Sequence, residues 1–108
     1  MSATSEFAVT TTEAEAVVTM PARIDATNAS AFLERVDALR EAGHRDMILD
    51  LRATEILDST ALGAVMTLYR TLKALGGTLR LSNVGGGPMR VLQLTRLDRV
   101  LEVIDEAA

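Results

Sequence analysis

The sequence predicts an α/β fold, a mixed sheet of four to five strands with helices packed on it, and three observations carry that prediction. Met47, Ile48, Leu49 and Leu51 form an apolar run broken only by Asp50, which is how a strand buried on both faces of a parallel sheet reads. Two stretches with apolar residues at helical spacing flank it, each ending at glycine. Ahead of them lie two β-favouring stretches that a short polar turn can fold into an antiparallel hairpin.

In chain order, residues 1–5 are small and polar and are expected to fray. Glu6 to Thr12 is threonine-rich and favours a strand, Ala16 to Met20 a second, and Thr12 to Glu15 supplies the turn. Pro21 has no N–H to give a neighbour, so it ends the second strand or places it at an edge. Asp25, Thr27 and Asn28 offer capping oxygens before a helix whose apolar face is Ala29, Phe32, Leu33, Val36 and Leu39, and Gly43 stops it. The central strand spans residues 46–52. A polar turn, Arg52 to Glu55, and an apolar pair, Ile56 and Leu57, lead into Asp58, Ser59 and Thr60. A second helix runs from about Ser59 to Leu75 with Leu62, Val65, Met66, Tyr69 and Leu72 as its stripe, ended by Gly76 and Gly77. Thr78 to Val84 alternates, Leu79 and Leu81 against Arg80 and Ser82, and so is another strand. Gly85, Gly86 and Gly87 break the chain before Pro88, which suits the first position of a third helix through about Leu94. Val100 to Ile104 reads either as a last short strand or as a helical turn, and residues 105–108 as the stub of a terminal helix. No repeat or linker interrupts this order, so residues 1–108 are expected to form one domain.

Composition narrows the function classes. At 108 residues, 48% of them hydrophobic, the chain can bury one core but not two. No stretch approaches the ~20 consecutive apolar residues of a membrane span, and the start lacks the basic and apolar regions of a signal peptide. A cytoplasmic protein without membrane insertion is expected. Fifteen acidic residues against eleven scattered basic ones give a net charge of −4, and aromatics are only 3%. Neither a basic stripe nor a stacking platform is offered, so nucleic acid is not expected as a direct partner. Cysteine is absent and His44 is the single histidine, so no metal or cofactor is expected.

Enzyme chemistry finds no constellation. A hydrolase triad needs His44 beside Ser59, yet they lie at opposite ends of the central strand, roughly 20 Å apart. The G-x-S-x-G turn is absent as well. The stretch GGGPMR, from Gly85 to Arg90, lacks both the Lys-Ser/Thr of a phosphate-binding loop and the G-x-G-x-x-G register, so a turn is the simpler reading. Asp50 is embedded in the strand, and Asp58 has no second acid in a defined geometry. What remains is Ser59, where a strand hands over to a helix. The first N–H groups of a helix carry partial positive charge, so a phosphate on that hydroxyl would be stabilised. The plainer alternative is that Asp58 or Ser59 is an N-cap, worth roughly 1 kcal/mol.

The segment Ile56 to Gly63, ILDSTALG, preceded by DMILDL and followed by an amphipathic helix ending at Gly76-Gly77, resembles the phosphorylation-site segment of STAS domains, specifically the small anti-sigma factor antagonists. RIDA, Arg23 to Ala26, and the stretch from Gly76 to Val84 extend the resemblance over nearly the whole chain. It implies a STAS-like fold, with Ser59 as phosphoacceptor, Asp58 as the acid before it, and Leu62 and Gly63 as the pair that follows. Two departures stand out. Ala61 replaces the usual glycine, adding a methyl beside the acceptor, and Pro21-Ala22 replace a glycine-containing turn. Thr60 is a second hydroxyl, ranked as backup acceptor or neighbour contact.

The resemblance further implies partner switching without catalysis by this chain. Unmodified, it would bind an anti-sigma factor with serine kinase activity and so release a sigma factor. Phosphorylation of Ser59 would end binding, and a serine/threonine phosphatase would reset it. The implied partner-binding surface comprises Arg23, Asp25, Thr27, Asp58, Thr60, Leu62 and Gly63, with helix capping as the plainer role for Asp25. The alternative for the same domain is an accessory subunit of a transporter or of a stress-signalling assembly, its serine never modified. An enzyme or nucleotide-binding protein is the third reading.

Overall fold

The computed structural model describes residues 6–12 and 15–104; the readings of residues 1–5 and 105–108 lie outside them. From the N-terminus the elements are β1 (Ala8–Thr11), β2 (Ala16–Thr19), β3 (Arg23–Ile24), α1 (Ala29–Glu41), β4 (Asp46–Asp50), β5 (Ile56–Leu57), α2 (Ser59–Ala74), β6 (Thr78–Ser82), α3 (Gly86–Leu94) and β7 (Glu102–Ile104). A 3-10 turn at Leu97–Arg99 precedes β7. The expected hairpin forms, with Val9 opposite Val18 in antiparallel register. The first strand is shorter than expected, because Glu6 and Phe7 form a 3-10 turn that buries Phe7 against Phe32, ring centroids 5.6 Å apart. The open reading of the tail resolves as a strand, β7, since Val103 finds Leu81 of β6 as its partner.

Five strands pair in the order β1-β2-β4-β6-β7, and β3 pairs with β5 in a separate two-stranded sheet that the residue pattern did not announce. All contacts after the first hairpin are parallel. Alternate sheet residues, Ala16 and Val18, Met47 and Leu49, Leu79 and Leu81, join Phe32, Val36, Leu68, Leu72 and Leu92 from the helices in one core.

The other face buries Ile48 of β4 completely, as the apolar run predicts. It carries Val17, Ile48, Arg80 and Glu102 in one row of register, and side chains reaching between strands close it. Arg80 pairs with Glu15, just before β2, and so spans β4, whose Ile48 is opposite it and fully buried. Thr78 Oγ donates to Asp46 at 2.8 Å, and Asn83 Nδ2 to Asp50 at 3.0 Å. A parallel sheet usually needs a second layer to satisfy that face; here cross-strand polar pairs and one arginine stem substitute for it.

Both long helices end in the same glycine-dependent cap. After α2 the amide of Gly76 (φ +79°) donates to Lys73 O and that of Gly77 to Leu72 O; after α1 the amides of Gly43 (φ +105°) and His44 donate to Arg40 O and Leu39 O. The stripe of α2 is wider than predicted, since Ala61, Ala64 and Leu68 are buried as well, while Met66 and Tyr69 are only half-buried. Pro88 is the third residue of α3 and not the first, still within the turn whose N–H groups have no helical partner. A Cβ on Gly77 would overlap the backbone carbonyl of Arg45, which ties the end of α2 to the start of β4. Gly77→Ala is therefore expected to lower unfolding free energy by about 3 kcal/mol in urea titration.

Candidate functional site

Three short pieces of chain build one end of the molecule: β3, β5 and the first turn of α2. Arg23 stands opposite Ile56 and Ile24 opposite Leu57. The amides of Glu55 and Ile56 donate to Ala22 O at 2.7 and 3.1 Å, and that of Asp58 to Ile24 O at 3.3 Å. Ala22 thus extends the β3 edge that β5 pairs with. Ile24 and Leu57 are buried, so alternation turns Arg23 and Ile56 outward; Ile56 is 43% exposed and the Arg23 side chain 63%. Thr54, itself buried, secures the loop by donating its hydroxyl to Pro21 O at 2.8 Å.

Asp58 is the N-cap of α2. Its backbone is extended, its carboxylate accepts from the Ala61 amide at 2.9 Å, and its carbonyl accepts from Leu62 at 3.0 Å. Of the two capping candidates, the aspartate takes the role and Ser59 is left as the first helical residue. Ser59 is exposed, and its hydroxyl makes no hydrogen bond among the described residues. Thr60 is exposed too. Ala61 is fully buried in the core, so its methyl faces inward, away from the surface that bears the hydroxyl. Leu62 is only 7% exposed and packs into the same core, which limits it to seating the helix. Gly63 is exposed, with open space where a side chain would go.

The turn after β3 lies alongside, because Asp25 follows Ile24 as Asp58 follows Leu57. Asp25 accepts from the amide and the hydroxyl of Thr27, and Arg23 Nη1 is 3.7 Å from its other oxygen. The Thr27 hydroxyl and amide hold the Asp25 carboxyl below its usual 3.8, with Arg23 adding to the effect. Asn28 is buried; it accepts from the Asp25 amide at 3.0 Å and donates to Arg23 O at 2.9 Å and to Glu6. The expected capping oxygens therefore bond within the turn, and α1 has no side-chain cap; its first amide is taken by the Asp25 carbonyl. His44 sits in the turn before β4, at the end of that strand remote from Ser59, so the pair forms no triad. Among the described residues, no group of three or more His, Asp and Glu side chains is placed to hold a metal.

A sequence profile described as the STAS domain matches residues 6–107. The chain belongs to the STAS domain family. This STAS domain is 28% identical over 86 residues to the anti-sigma-B factor antagonist of Bacillus subtilis, covering 80% of this chain and 78% of that protein. Among solved structures it superposes on the Thermotoga maritima protein TM1081 with a TM-score of 0.84 at 26% identity, over 93% of this chain and 81% of that one. An anti-sigma factor antagonist from Mycobacterium paratuberculosis superposes with a TM-score of 0.79 at 25% identity, over 90% and 82% of the two chains.

Reading the sequence missed Ile56, Thr54 and Asn28 at this end of the STAS domain. The D-x-x-N spacing of Asp25 and Asn28 was the one signal available, and it was read as helix capping. Asp58→Ala is expected to cost about 1 kcal/mol in chemical denaturation, and Asp58→Asn, which keeps an acceptor, much less. Because the folded Asp25 carboxyl titrates below its unfolded value, its stabilising contribution is present above pH 3.8 and is lost as pH falls through the lowered value. Thr27→Val should move the Asp25 titration midpoint upward in a carboxyl NMR titration.

Proposed function

We infer that this STAS domain is an anti-sigma factor antagonist that works by partner switching at Ser59. One observation carries the reading: the Ser59 hydroxyl is exposed and uncommitted at the start of α2 because Asp58 makes the capping bond. The names of similar chains that share its fold and most of its length support it. Unmodified, the chain binds an anti-sigma factor with serine kinase activity in the cytoplasm. That kinase transfers the terminal phosphoryl group of ATP to Ser59 Oγ, and a serine/threonine phosphatase hydrolyses the ester. The chain supplies no catalytic group to either step.

The physical effect of the phosphate follows from its position. It adds about −1.5 to −2 charges at pH 7. The amides of Ser59 and Thr60, left over by the cap, favour that charge at the helix start, so the fold tolerates it. On the outer side it joins Asp58 and Asp25, with Arg23 as the nearby counter-charge. A partner surface matched to the unmodified site then faces repulsion and the cost of desolvating a dianion. Release needs no refolding. Thr60 and Gly63 border the acceptor on the same exposed turn and belong to the contact, as do Arg23, Asp25 and Thr27. Among the described residues no helix is long and apolar enough to cross a membrane.

Incubation with the anti-sigma kinase of the same organism and ATP should add one phosphate at Ser59 by mass spectrometry. Ser59→Ala should remove it, and Thr60→Ala should not. Ser59→Asp should bind the kinase at least about tenfold more weakly than the unmodified chain; equal binding would overturn the reading.

A further inference from the structure

Nothing in the fold requires Ile56 to be apolar. It lies outside the core at 43% exposed; its amide, not its side chain, makes the bond to Ala22, and strand propensity is met as well by threonine. Single exposed apolar residues are ordinary, and Leu75, Leu94 and Val100 are others among the described residues. Ile56 differs from them in place. It sits on the strand that delivers Asp58 and Ser59 to α2, directly opposite the outward-facing Arg23.

We propose that Ile56 and Arg23 form the anchor by which the anti-sigma partner docks beside Ser59: an apolar pocket of the partner takes the Ile56 side chain, and a carboxylate at its rim pairs with Arg23. The proposal rests on the function inferred above and deepens it. Arginine is among the side chains that concentrate binding energy in protein interfaces, and both residues sit on paired strands that need little ordering. Charge sets the rest of the partner's chemistry. Asp25 and Asp58 flank the pair, so the partner meets them with cationic or N–H groups and reserves its acid for Arg23. Phosphate on Ser59, three residues along from Ile56, leaves the anchor folded while charging its border.

Calorimetric titration of the purified anti-sigma kinase with Ile56→Ala, Arg23→Ala and Leu94→Ala tests the anchor. Leu94, 72% exposed, serves as control at the end of α3 away from Gly87, the residue that abuts Glu55. Ile56→Ala and Arg23→Ala should each weaken binding about tenfold or more, with unchanged melting curves, and Leu94→Ala should leave it unaltered. Binding of Ile56→Ala within about twofold of the parent chain overturns the anchor while leaving the Ser59 switch standing. An equal loss in Leu94→Ala also overturns it, in favour of diffuse apolar contact. A parent chain that binds no anti-sigma kinase removes both the anchor and the switch.

Discussion

Asp58 is held from three directions: by its amide on Ile24, by its carboxylate on the Ala61 amide and by its carbonyl on the Leu62 amide. Only a residue with a short side-chain acceptor and a backbone N–H can make all three bonds. Each bond ties a different part of the structure, strand to strand, loop to helix, and helix to itself. Had Ser59 been the cap, its hydroxyl would have been spent on a backbone amide. The helix would also have started one residue later, at Thr60. The chemistry at Ser59 therefore depends on its neighbour's geometry more than on its own.

The two-stranded sheet continues the main one. β2 and β4 are parallel neighbours, and the segments that follow them, β3 and β5, are parallel neighbours again. Between the two pairings the chain bends at Pro21 on one strand and after Leu51 on the other, and the Thr54 hydroxyl spans the bend to Pro21 O. The same two strands thus separate and pair again as β3 and β5. That is what carries Arg23 and Ile56 to the surface while Ile24 and Leu57 stay buried beneath them. Pro21, which cannot donate an amide, is suited to the bend and is why β2 stops where it does.

The parts legible in the residues are those in which a period repeats. β4 announces itself by an apolar run, α1 and α2 by stripes three to four turns long, and the start of α2 by the abrupt change from one period to the other. β3 and β5, two residues each, are too short for any period to appear, so the platform under the acceptor was invisible although the acceptor itself was not. β7 stayed ambiguous because three residues gain strand character only from the β6 edge they meet. Asn28 and Thr54 are polar residues that the fold buries and satisfies through partners 5 and 33 positions away, distances at which composition is silent. The burial of Ile48 was legible, but not the part of its neighbour: Arg80, which on its own strand looks like an ordinary outward-facing charge, lies opposite it and pairs across to Glu15.

From β2 onward, sheet order repeats chain order, each parallel strand lying beside the one made before it. During synthesis every new strand therefore leaves the ribosome to find its neighbour already in place, and no late segment has to be threaded between earlier ones. The sheet can be laid down like courses of brick, with the three residues of β7 closing the last edge.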